Sequence, residues 1–308
     1  MTAYVRKVFG GRTWFNSSVH ALMEGHPAER DPRDVVCELA REMIVRARAL
    51  GWSGPPFDPV QLASIESIRV RQSDGPMDSD ALIRPLADGS LEIVWNQDTP
   101  PTRRNFSICH ELGHTLFPDA YEVVRHRSAR RRDPEDELER LCDAAAAEIL
   151  MPREEFVRDL TELDLDGDAI STLATRYAAS TEATARRVAT LSDRSCAVVV
   201  LTLRLKLTEE RRAKQRGLDF GGGAVGLEPK FRVDYMIPST SFGFRFPEHK
   251  SIPDDSCIYE AAQATNSAVE TWSTGKNEVR LRVHALNIPS DAEGRRRALA
   301  LVVSPSAQ

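Results

Sequence analysis

Arg104-Asn105-Phe106-Ser107-Ile108-Cys109-His110-Glu111-Leu112-Gly113-His114 is the stretch on which the reading of this chain turns. It lies in a segment, about Thr102 to Phe117, that reads as a helix stopped by Pro118. His110 and His114 are four residues apart, so a helix puts both imidazoles on one face, one turn apart, within reach of one Zn2+. Glu111 then stands beside the metal without ligating it, placed to take a proton from an attacking water. Phe106, Cys109 and Leu116 are free to pack inward on the other side of the helix. The competing reading is a pair of ordinary core or surface histidines.

A catalytic zinc takes three protein ligands and keeps one position open. The third ligand is expected from the next helix. Asp133-Pro134-Glu135-Asp136 starts that helix with an Asp cap, a proline at the first position and acids in the first turn. It runs to about Leu150. Glu139 is the candidate, with Asp143 four residues on and sharing its face. A carboxylate there can hydrogen-bond a ligand histidine, fixing its tautomer and raising its basicity. Otherwise Glu139 makes a surface salt bridge. Glu135, Asp136, Glu137 and Glu148 read as a solvated face or as partners of the helix dipole.

The zinc-helix stretch, followed by Glu139-Arg140-Leu141-Cys142-Asp143-Ala144-Ala145-Ala146-Ala147-Glu148-Ile149-Leu150-Met151-Pro152, resembles the ImmA/IrrE family of bacterial metallopeptidases. That family's pattern runs close to RFTxAHELGH and then ExxANxFAAxLLMP. The likeness covers roughly residues 40–190 and extends to Pro59–Ala63 and to the Asp88–Asn96 strand. It implies that His110, His114 and Glu139 are zinc ligands and that Glu111 is the general base. It also implies cleavage of a helix-turn-helix transcriptional repressor during a DNA-damage, stress or phage-defence response. Asp143 stands where the family has Asn, Ala145 where it has Phe, and Asn105 where it has Arg. None of these removes a metal ligand.

The 308 residues suggest two domains, with 41% hydrophobic and 28% charged side chains typical of soluble globular material. No apolar run approaches the ~20 residues of a membrane span, and no signal-peptide core follows Met1. Five scattered cysteines form no disulfide framework and no CxxC pair, which points to the reducing cytoplasm. From Ser195 onward there are 16 basic and 13 acidic side chains, so the net charge of −5 conceals an acidic first part and a mildly basic second. The expected division is an N-terminal extension over 1–33, a metallopeptidase domain over 34–194 and a C-terminal α+β domain over 195–308. The first domain includes helices at Asp34–Leu50, Pro59–Ser64 and Pro152–Leu160, and a helix-turn-helix-like hairpin at 168–191. Strands are expected at Ile68–Arg71 and Leu91–Trp95.

The C-terminal domain reads as strands at Cys196–Leu207, Phe231–Ile237, Val269–Trp272, Val279–Ala285 and Ala298–Val303, with one helix around Asp255–Thr265. By a weaker likeness it resembles the GAF-like sensor domains often fused to the ImmA/IrrE family. The fold class is therefore α+β: a zincin-like minimal metallopeptidase with a helical hairpin, then an α+β sensor domain. Arg186 and Arg187 are the basic residues of the hairpin's second helix, few for a helix that reads DNA. The basic run Arg125–Arg132 reads as a solvated loop or as a phosphate-binding lip beside the active site. Basic clusters at Arg211, Arg212, Lys214 and Arg216, and at Arg295, Arg296 and Arg297, are candidate nucleic-acid contacts, single-stranded DNA being the candidate activator. Phe242, Phe244 and Phe246 either stack on bases or line a core face of a strand. Asp164-Leu165-Asp166-Gly167-Asp168 lacks the glycine placement and twelfth-position Glu of a calcium loop.

The leading expectation is a zinc endopeptidase, with Tyr177 and Tyr121 as candidate oxyanion partners by residue type. A DNA-binding regulator with structural zinc and a non-cleaving repressor adaptor are the alternatives. Cys109 and Cys142 adjoin the metal residues; they are either buried hydrophobes or, for Cys142, a thiolate close enough to fill zinc's open position.

Overall fold

The computed structural model describes residues 5–120, 134–206, 208, 228–260, 266–274 and 277–304. Its contacts divide the chain into two compact units, Met1–Phe156 with Ala174–Ser180, and Val157–Leu173 with Thr181–Gln308. The fold is α+β, as expected.

The first unit begins with short elements that carry no periodic signal. Strands β1 (Lys7–Phe9) and β2 (Arg12–Trp14) form an antiparallel hairpin. Its two turn residues, Gly10 and Gly11, sit at φ +54 and +71, the left-handed region that tight two-residue hairpins require. Helix α1 (Ser17–Leu22) follows, with the Asn16 side chain accepting from the Ser18 and Val19 amides. Helices α2 (Pro32–Ala49) and α3 (Pro59–Ile65) start alike, each with an Asp cap and proline at the first position.

A three-stranded sheet comes next, from β3 (Arg69–Gln72), β4 (Ala81–Pro85) and β5 (Leu91–Trp95). The order is β3-β5-β4, with β3 parallel and β4 antiparallel to β5. Strand β4 went unread because Ala81-Leu82-Ile83-Arg84-Pro85 shows little alternation and ends in proline. Helix α4 (Pro101–His114) packs on β4, β5 and α3, and lies along α5 (Pro134–Leu150), which also packs on α2. The zinc-motif helix is thus held between a sheet and a second helix.

Helices α6 (Arg153–Thr161), α7 (Gly167–Arg176) and α8 (Thr181–Leu191) lead into the second unit. There β6 (Cys196–Arg204), β7 (Lys230–Pro238), β8 (Asn266–Ser273), β9 (Glu278–Ile288) and β10 (Arg297–Val303) form one antiparallel sheet in the order β7-β6-β10-β9-β8. Alternate residues Ala197, Val199 and Leu201 of β6 and Leu281, Val283 and Ala285 of β9 build one buried face with Phe231 and Trp272. Helix α8 packs on β6 and β7.

Two expectations change here. The helix around Asp255–Thr265 is a single 3-10 turn, Cys257–Glu260, in its described part; 261–265 lie outside the described residues. The segment carrying Phe242, Phe244 and Phe246 is a loop rather than a strand, and Phe242 and Phe246 are buried in the core of the second unit, Phe246 edge-on to Trp272. Those rings are occupied by protein, not free to stack on bases.

Candidate metal centre

The C-terminal half of α4 is buried from Ser107 to His114, unusual for a stretch holding two histidines and a glutamate. His110 and His114 are each 2% exposed, and their rings lie 5.1 Å apart at 75°. The helical spacing has done what it predicts, placing both on the face turned to α5. From α5, Glu139 meets both rings. One carboxylate oxygen is 3.1 Å from His110 Nε2 and the other is 3.6 Å from His114 Nε2. Two imidazole nitrogens and a carboxylate converging in a buried place are the donor set a tetrahedral zinc site requires, so the residues fit the metal.

The outer nitrogens are also engaged. His110 Nδ1 lies 2.9 Å from Asp143 Oδ1, the contact that the Glu139–Asp143 spacing anticipates. Burial alone would lower the His110 pKa, but hydrogen bonds to Asp143 and Glu139, with the charges of Glu111 and Asp143, push it up to about 9. A proton held there must leave when a metal binds. His114 Nδ1 lies 3.3 Å from Cys142 Sγ, and a ligand atom from each of His110, His114 and Cys142 falls within 4.8 Å of the others. Glu111 is buried in the same stretch, 4% exposed.

The close approach of the two helices depends on Gly113. A Cβ there would stand 3.1 Å from the Cys142 carbonyl oxygen and 3.2 Å from the Ala145 Cβ. Between the histidines' turn and α5 there is room for a hydrogen and little more.

Several other residues have roles the sequence did not disclose. Glu137 and Glu148 are not on a solvated face. Glu137 is buried and accepts the Phe15 and Asn16 amides at 2.7 and 2.9 Å, tying the segment before α1 to the first turns of α5. Glu148, 2% exposed, accepts the Arg153 amide at the start of α6. Ser18 donates to Asp119 at 2.6 Å, a second tie between the N-terminal segment and the zinc-helix end. Asn105 donates to the carbonyl of Ala178 rather than facing solvent. Cys109 is fully buried, and burial pushes its thiol well above the usual range, which suits a packing residue.

The remaining candidates divide. Tyr177 is buried in the first unit between Phe57 and Phe156. Tyr121, the run Arg125–Arg132, and Arg211, Arg212, Lys214 and Arg216 lie outside the described residues. Arg295 pairs with Asp291, Arg296 donates to the Tyr259 carbonyl and lies over the Phe231 ring, and Arg297 pairs with Glu182. On α8, Arg187 is buried and Arg186 stacks on Tyr235. Of the hairpin's basic residues, Arg187 is buried, while Arg176 and Arg186 are exposed.

Residues 66–189 match the family model described as the IrrE N-terminal-like domain, a peptidase family. The chain is 30% identical over 106 residues to the radiation response metalloprotease IrrE of Deinococcus radiodurans, covering 32% of each protein. It is 29% identical over 165 residues to the protein of the same name from Deinococcus deserti, covering 53% of this chain and 54% of that one. The chain thus spans from about a third to about half the length of these relatives. A solved structure titled Mycobacterium tuberculosis transcriptional regulator shares the fold at a TM-score of 0.53 and 14% identity, over 87% of this chain and 75% of that one. With the HExxH helix, the later Glu139 and the matched stretch in one place, residues 66–189 are similar to the IrrE N-terminal-like domain, a family of peptidases.

Proposed function

We propose that this chain is a zinc-dependent endopeptidase acting in the cytoplasm on a helix-turn-helix transcriptional repressor. The observation that carries the reading is the meeting of His110 Nε2 and His114 Nε2 on the Glu139 carboxylate, with Asp143 behind His110. Those three side chains would hold the metal. Zinc bound there supplies a Lewis acid that polarises the scissile carbonyl and acidifies water. Glu111 takes the proton of the attacking water and returns it to the departing amine. Asp143 accepts the His110 Nδ1 proton and so holds Nε2 toward Glu139.

The relatives' names, radiation response metalloprotease, support proteolysis in a stress response. Repressor cleavage follows from the family resemblance of the two helical stretches. The strands from 195 onward serve as a GAF-like sensor that gates the cut, single-stranded DNA being the effector to test first. The buried Arg187, the stacked Arg186 and the paired Arg295 and Arg297 weigh against a DNA-binding regulator that would use those residues.

The test is incubation with Zn2+ and the helix-turn-helix protein encoded beside this gene, with and without single-stranded DNA, read by intact mass. A single cut is expected, abolished by a chelator and lowered at least a hundredfold by Glu111→Gln, since removing a general base costs about 10²–10⁴. Retention of cleavage by Glu111→Gln with zinc bound would sink the mechanism. No cut by the native zinc protein under either condition would discard this repressor as its substrate.

A further inference from the structure

The two histidines differ in what stands behind them. His110 Nδ1 faces Asp143, a carboxylate that supports a ligand histidine. His114 Nδ1 faces Cys142 Sγ at 3.3 Å, in hydrogen-bonding geometry and out of solvent. The family pattern has alanine at this position, which offers no such group. A metal-bound imidazole uses one nitrogen as ligand and carries its proton on the other, and that N–H needs an acceptor when buried.

We propose that Cys142 is a positioning residue of the metal centre, its sulfur accepting the Nδ1–H of His114 and so turning Nε2 toward Glu139. This rests on the metal site proposed above. The competing role is a fourth ligand that closes the site, since the sulfur is near both rings. The geometry separates the two. The nitrogens of an imidazole point away from each other across the ring, and Glu139 lies on the Nε2 side of His114 while the sulfur lies on the Nδ1 side. A sulfur so placed stands behind a His114 that uses Nε2 as its ligand atom.

The helices make this arrangement possible. Glu139, Cys142 and Asp143 fall at i, i+3 and i+4 on α5, one face of one turn. Gly113 lets the Cys142 backbone come close under α4, its missing Cβ standing 3.2 Å from the Cys142 Cα. The sulfur therefore arrives beside the residue that follows Gly113, which is His114. Sulfur is a weak acceptor. Its removal should accordingly act at the lower end of the 10- to 100-fold loss of metal affinity that outer partners of ligand histidines produce.

Three measurements on the full chain test this. Zinc affinity is measured by chelator competition for the native protein, Cys142→Val and Cys142→Ser, with thermal melts of the metal-free proteins as a check on folding. Cys142→Val should bind zinc about 10-fold more weakly, while Cys142→Ser, which keeps an acceptor, recovers most of the loss. Long-range 1H–15N spectra of the zinc form should place the His114 proton on Nδ1. The cobalt-substituted protein should lack the thiolate-to-cobalt charge-transfer band that a sulfur ligand gives. A thiolate band in the native protein, lost in Cys142→Val, would make Cys142 a ligand and overturn the inference. Native affinity in a folded Cys142→Val would reduce it to packing and overturn it as well. Failure of the native chain to bind zinc would instead bring down the metal-site reading itself, and this inference with it.

Discussion

At the scale of single residues, the site is built from groups whose burial is tolerable only because each has a partner. His110 offers both ring nitrogens, one to Glu139 and one to Asp143, and an unpaired buried imidazole or carboxylate would be costly. Asp143→Ala removes the acceptor of the Nδ1 proton and leaves the ring free to turn. Zinc affinity should fall about 10- to 100-fold, measured by chelator competition, with the melt of the metal-free chain read alongside. Asp143→Asn, which keeps an acceptor oxygen, should lose less. The HExxH pair and the Glu139–Asp143 pair were legible in the sequence because a fixed helical period decides which residues share a face. Glu137 was not, since its partners are backbone amides 121 and 122 residues away and no local pattern records them. Cys142 was legible as a neighbour of the candidate ligands, but which nitrogen its sulfur meets is a matter of three-dimensional placement.

At the scale of elements, the distance between α4 and α5 decides whether ligands from two helices can share a metal. Gly113 sets that distance. Alanine at this position would gain about 1 kcal/mol of helix propensity. It would also press a methyl group against the Cys142 backbone, where overpacking costs about 1–3 kcal/mol, and the contact is with backbone that yields little. Gly113→Ala should therefore melt at a lower temperature and bind zinc more weakly than the native chain, measured by differential scanning calorimetry with and without metal. An unchanged melt would show that α5 can move away freely. A second prediction belongs to β9. His284 is buried there opposite Leu301 of β10 and Ser267 of β8, with no hydrogen-bond partner for its Nε2 among the described residues. Burial lowers its pKa, Asp166 and Asp168 pull it back, and Arg282 adds to the lowering. The unfolded chain then binds the proton more readily, so this residue's share of stability is intact above about pH 6.5 and lost as the pH falls below it. Melting temperature should drop between pH 7 and 5, and His284→Leu should flatten that slope.

At the scale of the whole molecule, the chain does not pass from one compact unit to the other once. It crosses after Phe156, after Leu173 and after Ser180, so α8 is grouped with the C-terminal sheet although most of it lies inside the stretch matched to the family. Long periodic helices and the strands of the C-terminal sheet were readable as elements. The short hairpin Lys7–Trp14, the six residues of α1 and the crossings were not, because short elements carry no period and crossings follow tertiary packing. The packing that matters is specific. Glu182 at the start of α8 accepts from Tyr235 of β7 at 2.5 Å and pairs with Arg297 of β10, and Arg186 stacks on the same tyrosine. Ala185 and Val188 are fully buried on that helix. A fragment ending at Arg194 keeps α8 and removes every one of those partners. Exposing a buried valine costs about 1.5–3 kcal/mol by itself, and Glu182 loses its charged and hydroxyl partners as well. The fragment 1–194 should therefore melt well below the full chain or associate in solution, read by calorimetry and size-exclusion chromatography. A fragment extended to include the sheet should recover the native melt. If 1–194 instead stays monomeric and melts with the full chain, α8 is stable without the sheet, and the C-terminal strands are free to act as a separable sensor.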